Sequence, residues 1–213
     1  GFDNMVHEAS HNNLFPTPRW NTALWFFYAL PVLQDVSEYR NTHQMHHQHL
    51  GHPRNDPDMQ QLAQYQILGP TFQERVLHFI CNLVSGKVFL WNACSRLFSS
   101  ISTVLPWIST LAATLILHVP LDHLCLLYIV PLFVVLPAMR YCCECSEHLG
   151  CNLGERMASS RNNLGILRTW WHPLNDGYHQ VHHLFPRIPF YNLKKAHRLF
   201  IENSEDFKFK SHV

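Results

Sequence analysis

The sequence predicts an all-α integral membrane protein: a transmembrane helical hairpin at about residues 102–139, and a helical cap on the cytoplasmic side that carries three histidine boxes. Three observations lead there. Histidines recur at helical spacing in three clusters, a long stretch of the second half is almost free of charge, and basic residues flank that stretch only at its open ends.

The first cluster is His7-Glu8-Ala9-Ser10-His11, the second His43-Gln44-Met45-His46-His47, and the third His179-Gln180-Val181-His182-His183. Residues three and four apart share a helix face, so each cluster aims two or three imidazoles the same way. Imidazole is the commonest protein metal ligand and suits zinc, copper, iron and nickel. Eight of the 17 histidines lie in these clusters, whereas a tetrahedral zinc site takes at most four protein ligands. The arithmetic points to two metal ions. His7 to His11 taken alone also fits the HExxH helix of zinc proteases, with Glu8 as general base. Two copies of HxxHH beside it argue against a chance polar helix face.

Charge locates the membrane segment. Between residues 99 and 139 there is no Lys, Arg or Glu, and only Asp122 carries a formal charge. Pro120-Leu121-Asp122 interrupts this run, leaving arms at 102–119 and 121–139. Each is near the lower limit for a spanning helix. Lys87, Arg96 and Arg140 flank the open ends while the turn has no basic residue, which places both ends in the cytoplasm. A buried helical pair of a soluble protein is the alternative. The second cluster precedes the hairpin and the third follows it, so both face one side. Residues 20–33 are too few to cross, and Trp20, Trp25, Phe26, Phe27 and Tyr28 suit the membrane interface. A buried globular helix would read the same way. All three clusters can then meet in one cap.

Composition agrees with this reading. The chain is 47% hydrophobic and 15% charged, against about 25% charged in soluble domains. A formal net charge of +1 leaves no basic patch for nucleic acid. Residues 1–213 read as one domain without an internal linker. Cys142, Cys143, Cys145 and Cys151 cluster at the cytoplasmic end of the second arm, where thiols stay reduced. Cys142-x-x-Cys145 has no second CxxC beside it, so these are read as small packing residues. Asp56 and Asp58, after the second cluster, suit helix capping or a bond to a ligand imidazole.

The clusters and their surroundings resemble the membrane fatty acid desaturase superfamily, which also contains hydroxylases and ketolases. The matching segments are HEASHNNLFP, then Glu38-Tyr39-Arg40-Asn41-Thr42-His43, Asp56-Pro57-Asp58, and GYHQVHHLFPRIPFYNL at 177–193. The resemblance covers almost the whole chain. It implies that His7, His11, His43, His46, His47, His179, His182 and His183 are the catalytic metal ligands, with His148 of Ser146-Glu147-His148 as the ninth. It further implies two iron ions, molecular oxygen as co-substrate, and a double bond introduced into a long acyl or sphingoid chain. A lipid or carotenoid hydroxylase or ketolase would use the same site. Zinc offers no redox chemistry for such a step.

Glu8 and Glu147 each adjoin a ligand in sequence. Neighbours on a helix point about 100° apart, so neither is expected to share a metal with the adjacent histidine. No GxGxxG, flavin motif or iron–sulfur spacing is present. Electrons are therefore expected from a separate ferredoxin or b-type cytochrome, with Arg156, Arg161 and Arg168 as one candidate docking surface. The implied setting is the endoplasmic reticulum in a eukaryote or the inner membrane in a bacterium, among membrane lipids. Members of the superfamily usually carry a membrane hairpin before the first box, so an N-terminal hairpin is expected to be missing from this chain.

Overall fold

Every regular element among the described residues is helical, as the histidine spacing predicts. The computed structural model describes residues 1–98, 104–166 and 168–210. Helix α1 is Phe2–Ser10. Three short turns follow, Trp20–Ala23, Trp25–Tyr28 and Leu30–Val32. Residues 20–33 are thus a broken chain of turns rather than one helix. Pro31 lacks an N–H, and Leu33 closes the last turn in the left-handed region at φ 52°. The segment is two-faced: Tyr28, Ala29, Val32 and Leu33 are buried, while Trp20, Phe26 and Phe27 are exposed.

Helix α2, Val36–His49, starts where the Asp35 carboxylate accepts hydrogen bonds from the Ser37 and Glu38 amides at 2.8 and 2.9 Å. Helix α3, Pro57–Gln64, starts likewise at Asp56, with Pro57 preset for a first helical turn. Helix α4, Phe72–Val84, opens on a reciprocal Thr71–Glu74 capping box. Gly86, at φ +78°, lets the chain bend by 60° into α5, Lys87–Phe98.

The charge-poor stretch forms α6, Val104–Ile116, and α7, Leu121–His148. The part of the expected first arm at 102–103 lies outside the described residues. His118, at φ 50°, turns the chain between the two helices, where Pro120-Leu121-Asp122 predicts a break. The second arm is longer than the charge pattern predicts, because α7 continues nine residues past Met139 to His148. Pro131 and Pro137 lie within it. Their missing N–H groups are accommodated by two wider π turns, Cys125–Ile129 and Pro131–Val135, and the helix continues.

With a mean hydropathy of 2.0 in its most apolar window, α7 is long and apolar enough to cross a membrane. Residues 121–139 rise about 28 Å, close to the roughly 30 Å hydrocarbon core. The last turns carry Arg140, Glu144, Glu147 and His148 beyond that zone. Leu121, Leu126 and Leu127 on α7 are exposed, as are Ile108, Leu111 and Leu115 on α6 and Phe72, Leu77 and Ile80 on α4. Such an apolar exterior is suited to lipid rather than water.

Three small cores hold the polar end together. Val6 and Ala9 of α1 pack with Tyr28, Val32, Val36 and Leu132. Met59 and Leu62 of α3 pack with Val88 of α5 and Tyr141 and Cys145 of α7. Tyr178 and Val181 pack with Leu193 and Phe207, joining α8 (His179–Leu184), α9 (Phe190–Asn203) and α10 (Glu205–Lys210). Gly177 leads into α8 where a Cβ would stand 2.5 Å from the Asn163 carbonyl. Any side chain there would push the third histidine cluster off its support.

Asp3 ties α1 to α5 and α7, its carboxylate lying 3.5 Å from both Arg96 and Arg140. Burial pushes its pKa up, but the two guanidiniums outweigh burial and hold it below the ordinary 3.8. The contact therefore stabilises the fold above that pH and is lost as pH falls through the depressed value. Asp3→Asn leaves Arg96 buried beside a neutral partner and is expected to cost about 3 kcal/mol. A lower melting temperature in detergent at pH 7, with the difference from wild type narrowing as the pH falls below 4, checks it.

Candidate metal centre

Each histidine cluster lies on a different helix, and the three helices meet at the end of α7. His7 and His11 come from α1, His43, His46 and His47 from α2, and His179, His182 and His183 from α8. His148 is the last residue of α7. All nine are buried or half-buried. Arg40 of α2 donates to the free carbonyls at the end of α1, Nη2 to Ala9 at 3.0 Å and Nε to Ser10 at 3.1 Å. This fixes the first cluster against the second, since a guanidinium suits a helix C-terminus. Buried Gln180 anchors α8 by donating to the Met157 carbonyl (2.6 Å) and accepting from Asn162 Nδ2 (2.8 Å).

The rings converge through one atom type. Nε2 of His182 lies 3.0 Å from Nε2 of both His7 and His47, and His47 lies 3.1 Å from His43. Nε2 of His179 lies 3.0 Å from that of His148 and 2.9 Å from that of His183, which lies 3.3 Å from His46. His7, His11, His43, His47 and His182 form one group whose nitrogens all lie within 4.8 Å of one another. His46, His148, His179 and His183 form the second. The groups adjoin, with the His47 and His183 ring centres 4.4 Å apart.

Helix geometry explains the partition. Histidines four apart stay together: 7 with 11, 43 with 47, 179 with 183. Consecutive ones, 46 and 47 or 182 and 183, point about 100° apart and divide between the groups. The expected ligand set is brought together in full.

Two of the opposite ring nitrogens face fixed partners. His46 Nδ1 lies 2.9 Å from Asp56 and 3.2 Å from Asp58, and His148 Nδ1 lies 3.1 Å from the Ser159 carbonyl. With its Nδ1 proton directed at Asp56 or Ser159, each ring presents a lone pair at Nε2. Asp56 both caps α3 and orients His46, so the two roles open to it in the sequence are both filled. Asp176, unmarked in the sequence, stands 3.9 Å from His7 Nδ1. Glu8 does not join the donors: it accepts from the Phe190 amide at 3.0 Å and lies 3.8 Å from His7 Nδ1. Burial raises its pKa to about 7.

Electrostatics favours neutral imidazoles. Burial lowers His7 to about 4 against the opposing pull of Asp3, with His46 and Arg140 adding to the lowering; burial with His7 and Arg40 lowers His11 to about 3. Burial and the surrounding histidines push His43, His47, His179, His182 and His183 well below their ordinary value. His46 is the exception. Burial pulls it down, but Asp58 and Asp56 outweigh burial and raise it to about 9.

Crowded Nε2 lone pairs about 3 Å apart repel unless a proton or cation lies between them, and depressed pKa values remove the protons. Nitrogens about 2.1 Å from one ion and about 90° apart stand at that spacing. His11 Nε2 is buried with no hydrogen-bond partner. The residues present fit metal ions.

A cavity of about 260 Å³ opens onto His7, His43, His46 and His179. Leu136, Met139 and Trp171 contribute apolar lining, and Asp3, Arg140 and Glu144 contribute charged lining. Glu147 also lines it, buried and close to His179. Sequence spacing sets Glu147 apart from the metal of the adjacent histidine; in the structure one of its oxygens lies within 4.8 Å of a ring nitrogen of His148 and of His179. His172 Nδ1 lies 3.2 Å from the Glu147 carboxylate.

A family model described as fatty acid desaturase matches residues 1–210. The chain is 29% identical over 224 residues to a dihydrorhizobitoxine desaturase of Bradyrhizobium elkanii, covering 93% of this chain and 63% of that protein. It is 23% identical over 223 residues to a temperature-sensitive sn-2 acyl-lipid omega-3 desaturase (ferredoxin), chloroplastic, of Arabidopsis thaliana. That alignment covers 90% of this chain and 51% of the plant protein. The chain thus spans about half to two thirds of the length of these relatives.

Asp56→Asn separates the two roles of Asp56. Asparagine caps a helix as well as aspartate, so the fold is expected to persist while metal affinity falls about 10- to 100-fold through loss of the carboxylate behind His46. Competition with a chelator, beside circular dichroism, measures both.

Proposed function

The chain belongs to the fatty acid desaturase family, and from that membership and the paired histidine groups we propose that it is an oxygen-dependent di-iron lipid desaturase. The reading places one iron among His7, His11, His43, His47 and His182, and the other among His46, His148, His179 and His183. The observation that carries it is the convergence of nine imidazoles into two adjoining groups, with burial prevailing and favouring the neutral form at all but His46. Iron there supplies the one-electron redox chemistry with oxygen that removal of hydrogen from an unactivated carbon requires.

The chain's own residues hold and shield the reacting groups. Asp56 and the Ser159 carbonyl fix ring orientation, and Gln180 and Arg40 fix the helices that carry the rings. The substrate is a long acyl or sphingoid chain, entering along the Leu136–Met139 wall where the apolar part of α7 meets its polar turns. Confining such a chain beside the metals lowers the entropic part of the barrier and keeps water away. A separate ferredoxin or b-type cytochrome delivers electrons. In this reading α6 and α7 form a multi-pass hairpin and residues 1–213 form one domain whose metal site faces the cytoplasm, at the endoplasmic reticulum of a eukaryote or the inner membrane of a bacterium. The HExxH hydrolase reading has little support, because Glu8 is bonded to Phe190 on the far side of the His7 ring and cannot act as a base at Nε2.

Iron analysis of detergent-purified protein is expected to give two irons per chain. His11→Ala and His148→Ala are each expected to leave about one, and the triple His179/His182/His183→Ala change less than one. Lipid analysis of cells expressing the wild type is expected to show an added double bond that each variant loses. Zinc in place of iron, unaffected by the triple change, would overturn the reading.

A further inference from the structure

The two histidine groups are unequal, five donors against four, and a carboxylate stands at the smaller one. We infer that Glu147 is the fifth donor of the four-histidine group, so that the centre has one all-imidazole site and one imidazole–carboxylate site. This rests on the di-iron reading and deepens it.

The decisive point is which side of the ring the carboxylate meets. Carboxylates that orient a ligand histidine lie behind it, at Nδ1, as Asp56 does at His46 (2.9 Å). Glu147 Oε2 instead lies 3.6 Å from Nε2 of His179, the atom that also faces His148 and His183 at 3.0 and 2.9 Å. One oxygen of Glu147 and one nitrogen each of His148 and His179 all lie within 4.8 Å of one another. His179 Nδ1, where an orienting group would sit, is buried and has no hydrogen-bond partner.

Burial gives a second, independent reason. Glu147 is 7% exposed, and its ion-pair contacts are two histidines, His179 and His172. Its Oε1 is buried, 3.2 Å from His172 Nδ1 but not aligned for a hydrogen bond. Buried carboxylates are paired with a cation or bound to a metal. Here His179 is one of the donors a metal would use, and His172 is not.

The 100° offset between consecutive helical residues does not exclude this arrangement. The offset fixes the Cα–Cβ directions, while a glutamate has two more rotatable bonds before its carboxylate and can swing toward its neighbour's target. Glu147 and His148 also end α7, where no further helical turn stands in the way. The consequence is an asymmetric pair. An anionic oxygen beside one ion favours its more highly charged state over that of its neighbour, which has only neutral donors.

The test compares wild type, Glu147→Gln and Glu8→Gln, each loaded with ⁵⁷Fe. Glu8 is the control because it too is a buried carboxylate next to a ligand in sequence, but is bonded to the Phe190 amide. Mössbauer spectra of the wild type are expected to show two inequivalent irons. In Glu147→Gln one of the two signals should shift, and one iron per chain should pass to a chelator at least tenfold faster. Glu8→Gln should retain both signals and the wild-type release rate. Wild-type signals and release in Glu147→Gln would overturn the inference and leave the di-iron reading intact. A wild type that takes up fewer than two irons would overturn both. Should Glu147→Gln fail to fold, infrared difference spectra of wild-type protein labelled with ¹³C-glutamate decide the question. A glutamate carboxylate band that moves on iron loading supports the inference, and no movement overturns it.

Discussion

Eight imidazole nitrogens within about 3 Å of a neighbour, and a ninth, His11, within 4.8 Å of its group, set the terms for the rest of this molecule. Lone pairs at that spacing repel, and burial keeps most of the rings from relieving the repulsion by protonation. The polar end of the fold must therefore hold an arrangement that is unfavourable unless cations are present. Arg40 on the end of α1, Asp56 behind His46, the Ser159 carbonyl behind His148 and Gln180 under α8 all act against that repulsion. Each is a short contact that ties a helix or ring of the clusters to a residue beyond it. Metal binding and folding are coupled in such a site, since the ligands repay in metal affinity what their crowding costs.

The long helix α7 connects this polar site to its surroundings. Its apolar length matches a bilayer core, and its last turns rise out of that zone with Arg140, Glu144, Glu147 and His148. A single element thus fixes the depth of the metal site relative to the apolar region. Two prolines that would kink an ordinary helix are accommodated by π turns, so the helix runs unbroken between its two ends. The cavity beside the histidines lies at this transition, lined by Leu136 and Met139 together with charged residues.

Sequence spacing made the site legible because a helix converts residue number into direction. His7 with His11, His43 with His47, and His179 with His183 share faces wherever the helices lie, and that much needs no tertiary contact. The break at Pro120 and the capping role of Asp56 are local in the same sense. Residues 20–33 were less legible. Their aromatic content suits an interfacial helix or a buried one, while the turns they adopt depend on what each ring packs against, with Tyr28 under the first core and Phe27 facing outward.

The sequence by itself determined most of the helices, the apolar stretch and the eight clustered histidines, because each is encoded by composition or by short-range periodicity; His148 is marked only by the family resemblance. Only the tertiary structure decided which histidines stand together. His182 joins His7 and His47 while its neighbour His183 joins His46, His148 and His179, a division set by how three helices are rotated and docked. The same docking turned Glu147 toward the donors and Glu8 away from them, although both flank a ligand histidine. Local spacing gives a side chain's direction from its own helix axis, and only packing brings that direction to a common point with another helix.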